Sequence, residues 1–189
     1  GGTPFFPDPV VDDPVSRRLL AEAHLAAETS DSLTASSFLY TAVAALLARH
    51  AAGARGPEGR RQALVYPERL PRQPALRAAA AAREILDERL TDPPRLAVLA
   101  AAVGASPFSL LRAFRAATGL PPHAYLNQRR VRLARDLLGR GVRPAEVAAR
   151  VGFADQAHLT RHFKRIVGVP PGAYQRGRKN LQDGAPGAA

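Results

Sequence analysis

The sequence predicts an all-α protein built around a duplicated helix-turn-helix. Three observations carry that prediction. The 189 residues are 46% hydrophobic but only 6% aromatic, so any core is made of Leu, Val and Ala, a composition that favours helices. Apolar residues recur three to four apart along most of the chain, which is helical spacing. Finally, the phrase GLPPHAY at 119–125 returns as GVPPGAY at 168–174, each copy closing a helical stretch.

Residues 1–14 are rich in Pro and Asp and read as an extended entry segment. Val15–Thr29 is helical, with Leu19, Ala23 and Ala26 on one side. Asp31 or Ser32 caps a second helix to His50, whose Leu39, Val43, Leu46 and Leu47 form a stripe. An antiparallel pair results, too small to bury much by itself. It is expected to pack on a missing domain or on a second copy, and Leu19, Leu39, Val43 and Leu46 are the candidate dimerisation residues. From Ala51 to Pro74, Gly, Pro and Arg dominate and no period persists, as in a linker. Short helices are then expected over Leu76–Leu90, Leu96–Val103 and Ser106–Thr118. A long one runs from Pro121 or Pro122 to about Leu138. Pro144–Val151 and Asp155–Val167 follow, then a turn or two around Tyr174 and a frayed tail.

The twin phrases end two related blocks. At an offset of 49 residues Leu110 pairs with Leu159, Arg112 with Arg161, Phe114 with Phe163, Arg115 with Lys164 and Tyr125 with Tyr174. Upstream the offset is 48, matching Leu99 to Val147 and Gly104 to Gly152. Each block reads as short helix, glycine turn, longer helix, which is a helix-turn-helix. At about 100° per residue, Phe163 and Ile166 fall within about 40° of Leu159, while Ala157, Arg161 and Lys164 point the other way. In the first block Phe114 and Ala117 join Leu110, and Phe108, Arg112 and Arg115 lie opposite. Such a helix suits a major groove. Arg112 and Arg161 have the fork that meets guanine O6 and N7, small Ala157 allows close approach, and Phe108 is expected to stand exposed where thymine methyls lie. Arg115, Lys164 and Arg165 suit phosphates. Gly119 and Gly168 allow left-handed caps, and the prolines start the next helices. Tyr125 and Tyr174 are expected to fold back and seal each small core. The long helix between the blocks, about 17 residues or roughly 25 Å, is expected to hold two reading helices near the ~34 Å of one DNA turn. Arg129 and Arg130, on that helix, are further candidates for phosphate contact.

Charge agrees. Residues 1–73 hold eight Lys and Arg against eight Asp and Glu, and the remainder holds nineteen against eight, so the net +11 lies wholly in the second part. A basic half behind a neutral half fits a nucleic-acid module attached to something else. Without cysteine there is neither disulfide nor thiolate chemistry. No stretch approaches 18 strictly apolar residues, so no membrane span is expected. The five histidines form no metal signature, and no paired acids, phosphate-binding glycine loop or nucleophile–base arrangement suggests an enzyme or a cofactor.

The run VRPAEVAARVGFADQAHLTRHFKRIVGVPPGAYQR, Val142–Arg176, resembles the signature of the AraC/XylS family of bacterial transcription regulators. LAVLAAAVGASPFSLLRAFRAATGLPPHAYLNQRR resembles that family's other helix-turn-helix. The resemblance implies recognition helices in adjacent major-groove segments. It places base contacts at Phe108, Leu111 and Arg112 in the first, and at Gln156, Ala157, Thr160 and Arg161 in the second. Leu111 and Ala157 depart from the polar residues sometimes found there, which favours apolar contact or shape readout. Residues 5–50 resemble, more loosely, the helical end of such regulators' sensing domains. The expected organisation is therefore 1–50 as the end of a truncated regulatory domain, 51–74 as linker, 75–178 as the double helix-turn-helix and 179–189 as disordered tail. The start without Met fits a piece of something longer. The implied partners are double-stranded DNA, a second copy of the chain and RNA polymerase, with a small-molecule effector bound by the absent part of the sensing domain. The implied location is cytoplasmic. The competing reading is a helical interaction module whose basic face serves RNA or a protein.

Overall fold

The structure, a computed structural model, describes residues 12–50 and 72–183, with side chains to residue 178. These residues form helices α1 (Pro14–Thr29), α2 (Ser32–His50), α3 (Arg72–Glu88), α4 (Leu96–Ala102), α5 (Pro107–Thr118), α6 (Pro122–Gly139), α7 (Pro144–Val151), α8 (Gln156–Val167) and α9 (Pro171–Asp183). The chain divides into two compact units. One runs up to Glu88 and includes Pro93–Ala124; the other joins Arg89–Asp92 to Tyr125 onward.

In the first unit, α1 and α2 pack side by side. Leu19, Leu39, Val43 and Leu46, the candidate dimerisation residues, are not among the pair's buried positions. The buried positions are Ser16, Ala23 and Ala26 on α1 with Leu33, Thr34, Ser37 and Ala42 on α2, whereas Leu39 is 51% exposed and Leu19, Val43 and Leu46 are half-buried. The pair is clasped by Asp13, a buried N-cap that accepts from the Val15 and Ser16 backbone N–H groups and from Ser16 Oγ. From the far end of α2, Arg49 Nε and Nη2 donate to its two oxygens at 2.6 and 3.0 Å, and His50 Nε2 lies 3.0 Å away. The pair is also tied to the later helices of this unit. Ser32 Oγ donates to the Pro93 carbonyl at 3.1 Å, and Ser36 Oγ accepts from Leu96 N–H at 2.9 Å. Phe38 meets His123 with ring centroids 4.8 Å apart. Although α2 has the length and hydropathy of a membrane span, it packs on α1 and meets the helices Leu96–Ala102 and Pro107–Thr118 of the same unit.

Arg49 above all, then His50 and Ser16, hold the Asp13 carboxyl well below the usual carboxylate range. The unfolded chain binds a proton there near pH 4, the folded chain only at lower pH. The stabilisation is therefore complete above about pH 4 and fades as pH falls below it. Asp13→Asn is expected to destabilise the protein at pH 7, with the gap to wild type beginning to narrow as pH falls below about 4. A gap in unfolding free energy that stays constant across that range contradicts the assignment.

The rest of the first unit is a small apolar core: Ala78, Ala79, Ala82 and Leu86 from α3, Leu96, Leu99 and Ala100 from α4, and Leu110 and Phe114 from α5. The axes of α4 and α5 differ by 80°. Ser106 caps α5, accepting from Ser109 N–H at 3.3 Å. The second unit repeats the plan. Val131, Ala134 and Leu138 of α6, Val147, Ala148 and Val151 of α7, Phe153 of the turn, and Leu159 and Phe163 of α8 form its core. Asp155 caps α8, accepting from His158 N–H at 2.6 Å. Gly119 and Gly168 end α5 and α8 at φ 77° and 91°, as the repeated phrase requires.

Helix boundaries agree with the sequence reading within a few residues, with two differences. The helix opening the double motif begins at Arg72, inside the expected linker, whose residues 51–71 lie outside the described ones. At the other end, α9 continues to Asp183. Residues 179–183, expected in the tail, are thus helical; after Pro171 no further proline interrupts them, and 184–189 lie outside the described residues. Ile166 is 39% exposed and Ala117 is exposed, so each apolar stripe stops one turn early, at Phe163 and Phe114.

Candidate nucleic-acid interface

The α8 helix presents a buried stripe and a basic face. Leu159 and Phe163 are fully buried. Gln156, Ala157, Arg161, Lys164 and Arg165 are exposed, and Thr160 is half-buried on the flank. The cap at Asp155 and the glycine at 168 fix where the helix begins and ends, so the exposed set spans three turns of one rigid element. Beneath it, Tyr174 sets its ring edge-on to Phe163 at 5.5 Å, with the Arg135 guanidinium 5.7 Å from the ring centre. Gln175 Nε2 ties the next turn to the Leu138 and Val142 carbonyls at 3.3 and 3.0 Å. The Tyr174 of the repeated phrase is thus a floor for α8. Tyr125, its counterpart, is half-buried.

Along the flank, burial above all, with Arg165, His158, Arg161 and Arg130 adding to it, lowers the His162 pKa to about 3. A neutral ring at physiological pH has an acceptor nitrogen, and Arg165 Nη2 lies 2.9 Å from His162 Nδ1. One cation of the exposed face is thereby held by a neighbour on the same helix.

The matching face of α5 is less open. Arg115 is exposed, but Leu111 and Arg112 are half-buried, and Arg112 Nη2 donates to Ser109 Oγ at 3.3 Å. Phe108 is not the exposed aromatic the sequence suggested. It is half-buried, its ring meeting Tyr40 of α2 edge-on at 5.2 Å and 84°. The helix pair that covers it was expected to pack elsewhere.

Arg130 requires a larger correction. Expected to touch phosphate, it is fully buried. Its Nε donates to the Leu90 carbonyl at 2.7 Å and its guanidinium lies 5.6 Å from the centre of the Phe153 ring. The signal was present in the sequence: Leu126, Arg130, Ala134 and Leu138 recur every four residues, so Arg130 occupies a step of the apolar stripe of α6. Arg129, the other candidate on that helix, is half-buried. Among the described residues no three His, Cys, Asp or Glu side chains gather into a metal-holding group.

Residues 99–177 match the model of a helix-turn-helix domain family. An AraC-like transcription regulator of Streptomyces lividans is 36% identical over 89 residues, 45% of this chain and 29% of that protein. This chain carries an AraC/XylS-type helix-turn-helix domain. HTH-type transcriptional regulator YbfI of Bacillus subtilis is 39% identical over 76 residues, covering 40% of the chain and 28% of YbfI. The chain thus spans under a third of these curated relatives. Among solved structures, the DNA-binding domain of AdpA, a global transcriptional factor determined in complex with a target DNA, superimposes with a TM-score of 0.52. It is 29% identical, and the match covers 58% of this chain and 98% of that one. The matched part is the AraC/XylS-type domain, and α1 and α2 precede the family-model match.

Proposed function

We propose that the chain is the DNA-binding segment of a cytoplasmic bacterial transcription regulator that reads double-stranded DNA with α8 and α5. The observation carrying this reading is the exposed basic face of α8 over a fully buried stripe. A capped, rigid, amphipathic helix of this kind is what a major groove admits. The family relationship and the likeness to regulators of Streptomyces and Bacillus support it. In this reading Arg161 forks onto a guanine, Ala157 and Gln156 lie close to base edges, and Thr160 borders them. Lys164, Arg165 and Arg115 meet phosphates, with Arg129 at the margin. On α5 the base-reading residues are Phe108, Leu111 and Arg112. The 18 residues of α6, about 27 Å of helix, lie between the two in sequence. The wider assignments are a homodimer using Leu19, Leu39, Val43 and Leu46, RNA polymerase as a partner, and an effector held by a further domain.

Selection of duplexes from a random pool, at a stated salt concentration, tests the reading. The expected outcome is a defined motif bound roughly a thousandfold or more above scrambled duplex. Recovery of no motif, or equal binding to structured RNA, contradicts it. Lys164→Ala is expected to weaken selected and scrambled duplexes alike and to lower the salt slope of log K by about one. A loss confined to the selected duplex would assign Lys164 to base reading instead.

A further inference from the structure

We infer that Arg130 is a positioning residue for α8: from inside the second unit, touching no nucleic acid, it sets the rotation at which the helix presents Arg161. The inference rests on the proposed reading of DNA by α8. Burying a guanidinium costs several kcal/mol unless its donors are engaged. Here Nε is engaged by the Leu90 carbonyl, and the cation faces the Phe153 ring. The turn between α7 and α8 is built to admit this group. A Cβ placed on Gly152 would lie 2.7 Å from Thr91 Cα, 3.1 Å from the Leu90 carbonyl oxygen and 3.1 Å from Arg130 Nη2. Glycine at 152 therefore lets residues 90–91, the turn and the guanidinium close on one another.

Phe153 carries the contact onward. Its ring meets His158 edge-on at 5.2 Å and stacks on His162 at 5.5 Å and 24°, and the two histidine rings are 4.7 Å apart. Both histidines lie on one flank of α8, beside the Leu159 and Phe163 stripe. The stripe holds α8 against the core, whereas this flank resists its turning. A turn of about 10° moves a side-chain tip by roughly 1 Å at the ~5–6 Å radius of a helix with its side chains. Recognition geometry must be held to within about 0.5 Å. Loosening the flank therefore loses base discrimination before it loses the fold.

The test uses the full chain with Arg130→Met, which keeps length and apolar bulk, Arg130→Lys, which keeps a donor, and Phe153→Leu, which keeps the core filled but removes the ring. Residual dipolar couplings report the orientation of α8 against α6 and α7. Anisotropy titrations report the preference for the selected duplex over a scrambled one. The expected result is a reoriented α8 in Arg130→Met and Phe153→Leu, with partial recovery in Arg130→Lys. Selectivity should fall roughly tenfold while scrambled-duplex affinity is kept. Adding Arg161→Ala to Arg130→Met should then cost much less than Arg161→Ala alone. An α8 orientation unchanged in both folded variants overturns the role of Arg130, whatever the DNA data show. A reoriented α8 in a protein whose selectivity never depended on Arg161 upholds the positioning role and overturns the reading of DNA by α8.

Discussion

Arg161→Ala weakens binding to the selected duplex by about 1–3 kcal/mol, roughly five- to 150-fold, and leaves scrambled-duplex affinity within about threefold. Arg161 is exposed and lies on the face of α8 opposite Leu159 and Phe163. Removing it therefore disturbs neither core nor cap, and the melting temperature should hold. The loss is that of a forked donor pair aimed at one base, so it concentrates at a single position of the motif. Arg161→Lys should recover little, because an ammonium lacks the planar fork. Competition titrations with single-base variants of the selected duplex check this. An equal loss on every sequence would make Arg161 a phosphate contact.

Gly152→Ala is expected to cost about 3 kcal/mol or more in stability. Two penalties combine. The residue sits at φ 84°, where a Cβ is disfavoured by about 1–2 kcal/mol. The added carbon would also lie 2.7 Å from the backbone of Thr91, which cannot move aside as a side-chain tip can. Gly119 is the control: φ is 77°, and nothing lies within 4 Å of an added Cβ. Gly119→Ala should thus cost only the conformational part, about 1–2 kcal/mol. Urea unfolding of the two variants compares them directly. Equal destabilisation would mean that the approach of residues 90–91 to the turn does not constrain the fold.

The duplication, its glycine caps and the outward Arg161 were legible in the sequence because each is a local rule: a period, a cap, a turn. What was not legible is what fills each face. The four-residue stripe Leu126, Arg130, Ala134, Leu138 announces a buried side of α6. A guanidinium there reads as surface until the Leu90 carbonyl and the Phe153 ring are seen to receive it. On α2 the fully buried positions include the small Ala42 and Ser37, while Leu39 stays exposed, a division that the leucine spacing does not announce. Tyr40 on Phe108 joins residues 68 positions apart in sequence, and periodicity carries no information on such a pairing.

In the proposed reading, α5 and α8 each read their own stretch of one duplex. Motifs selected in parallel by the wild-type chain, Arg112→Ala and Arg161→Ala test it most directly. Each variant is expected to lose base preference at a separate cluster, the two lying about one helical turn, ~10 base pairs, apart. If both substitutions erased preference at the same bases, or neither changed the selected motif, the two-helix reading would be wrong.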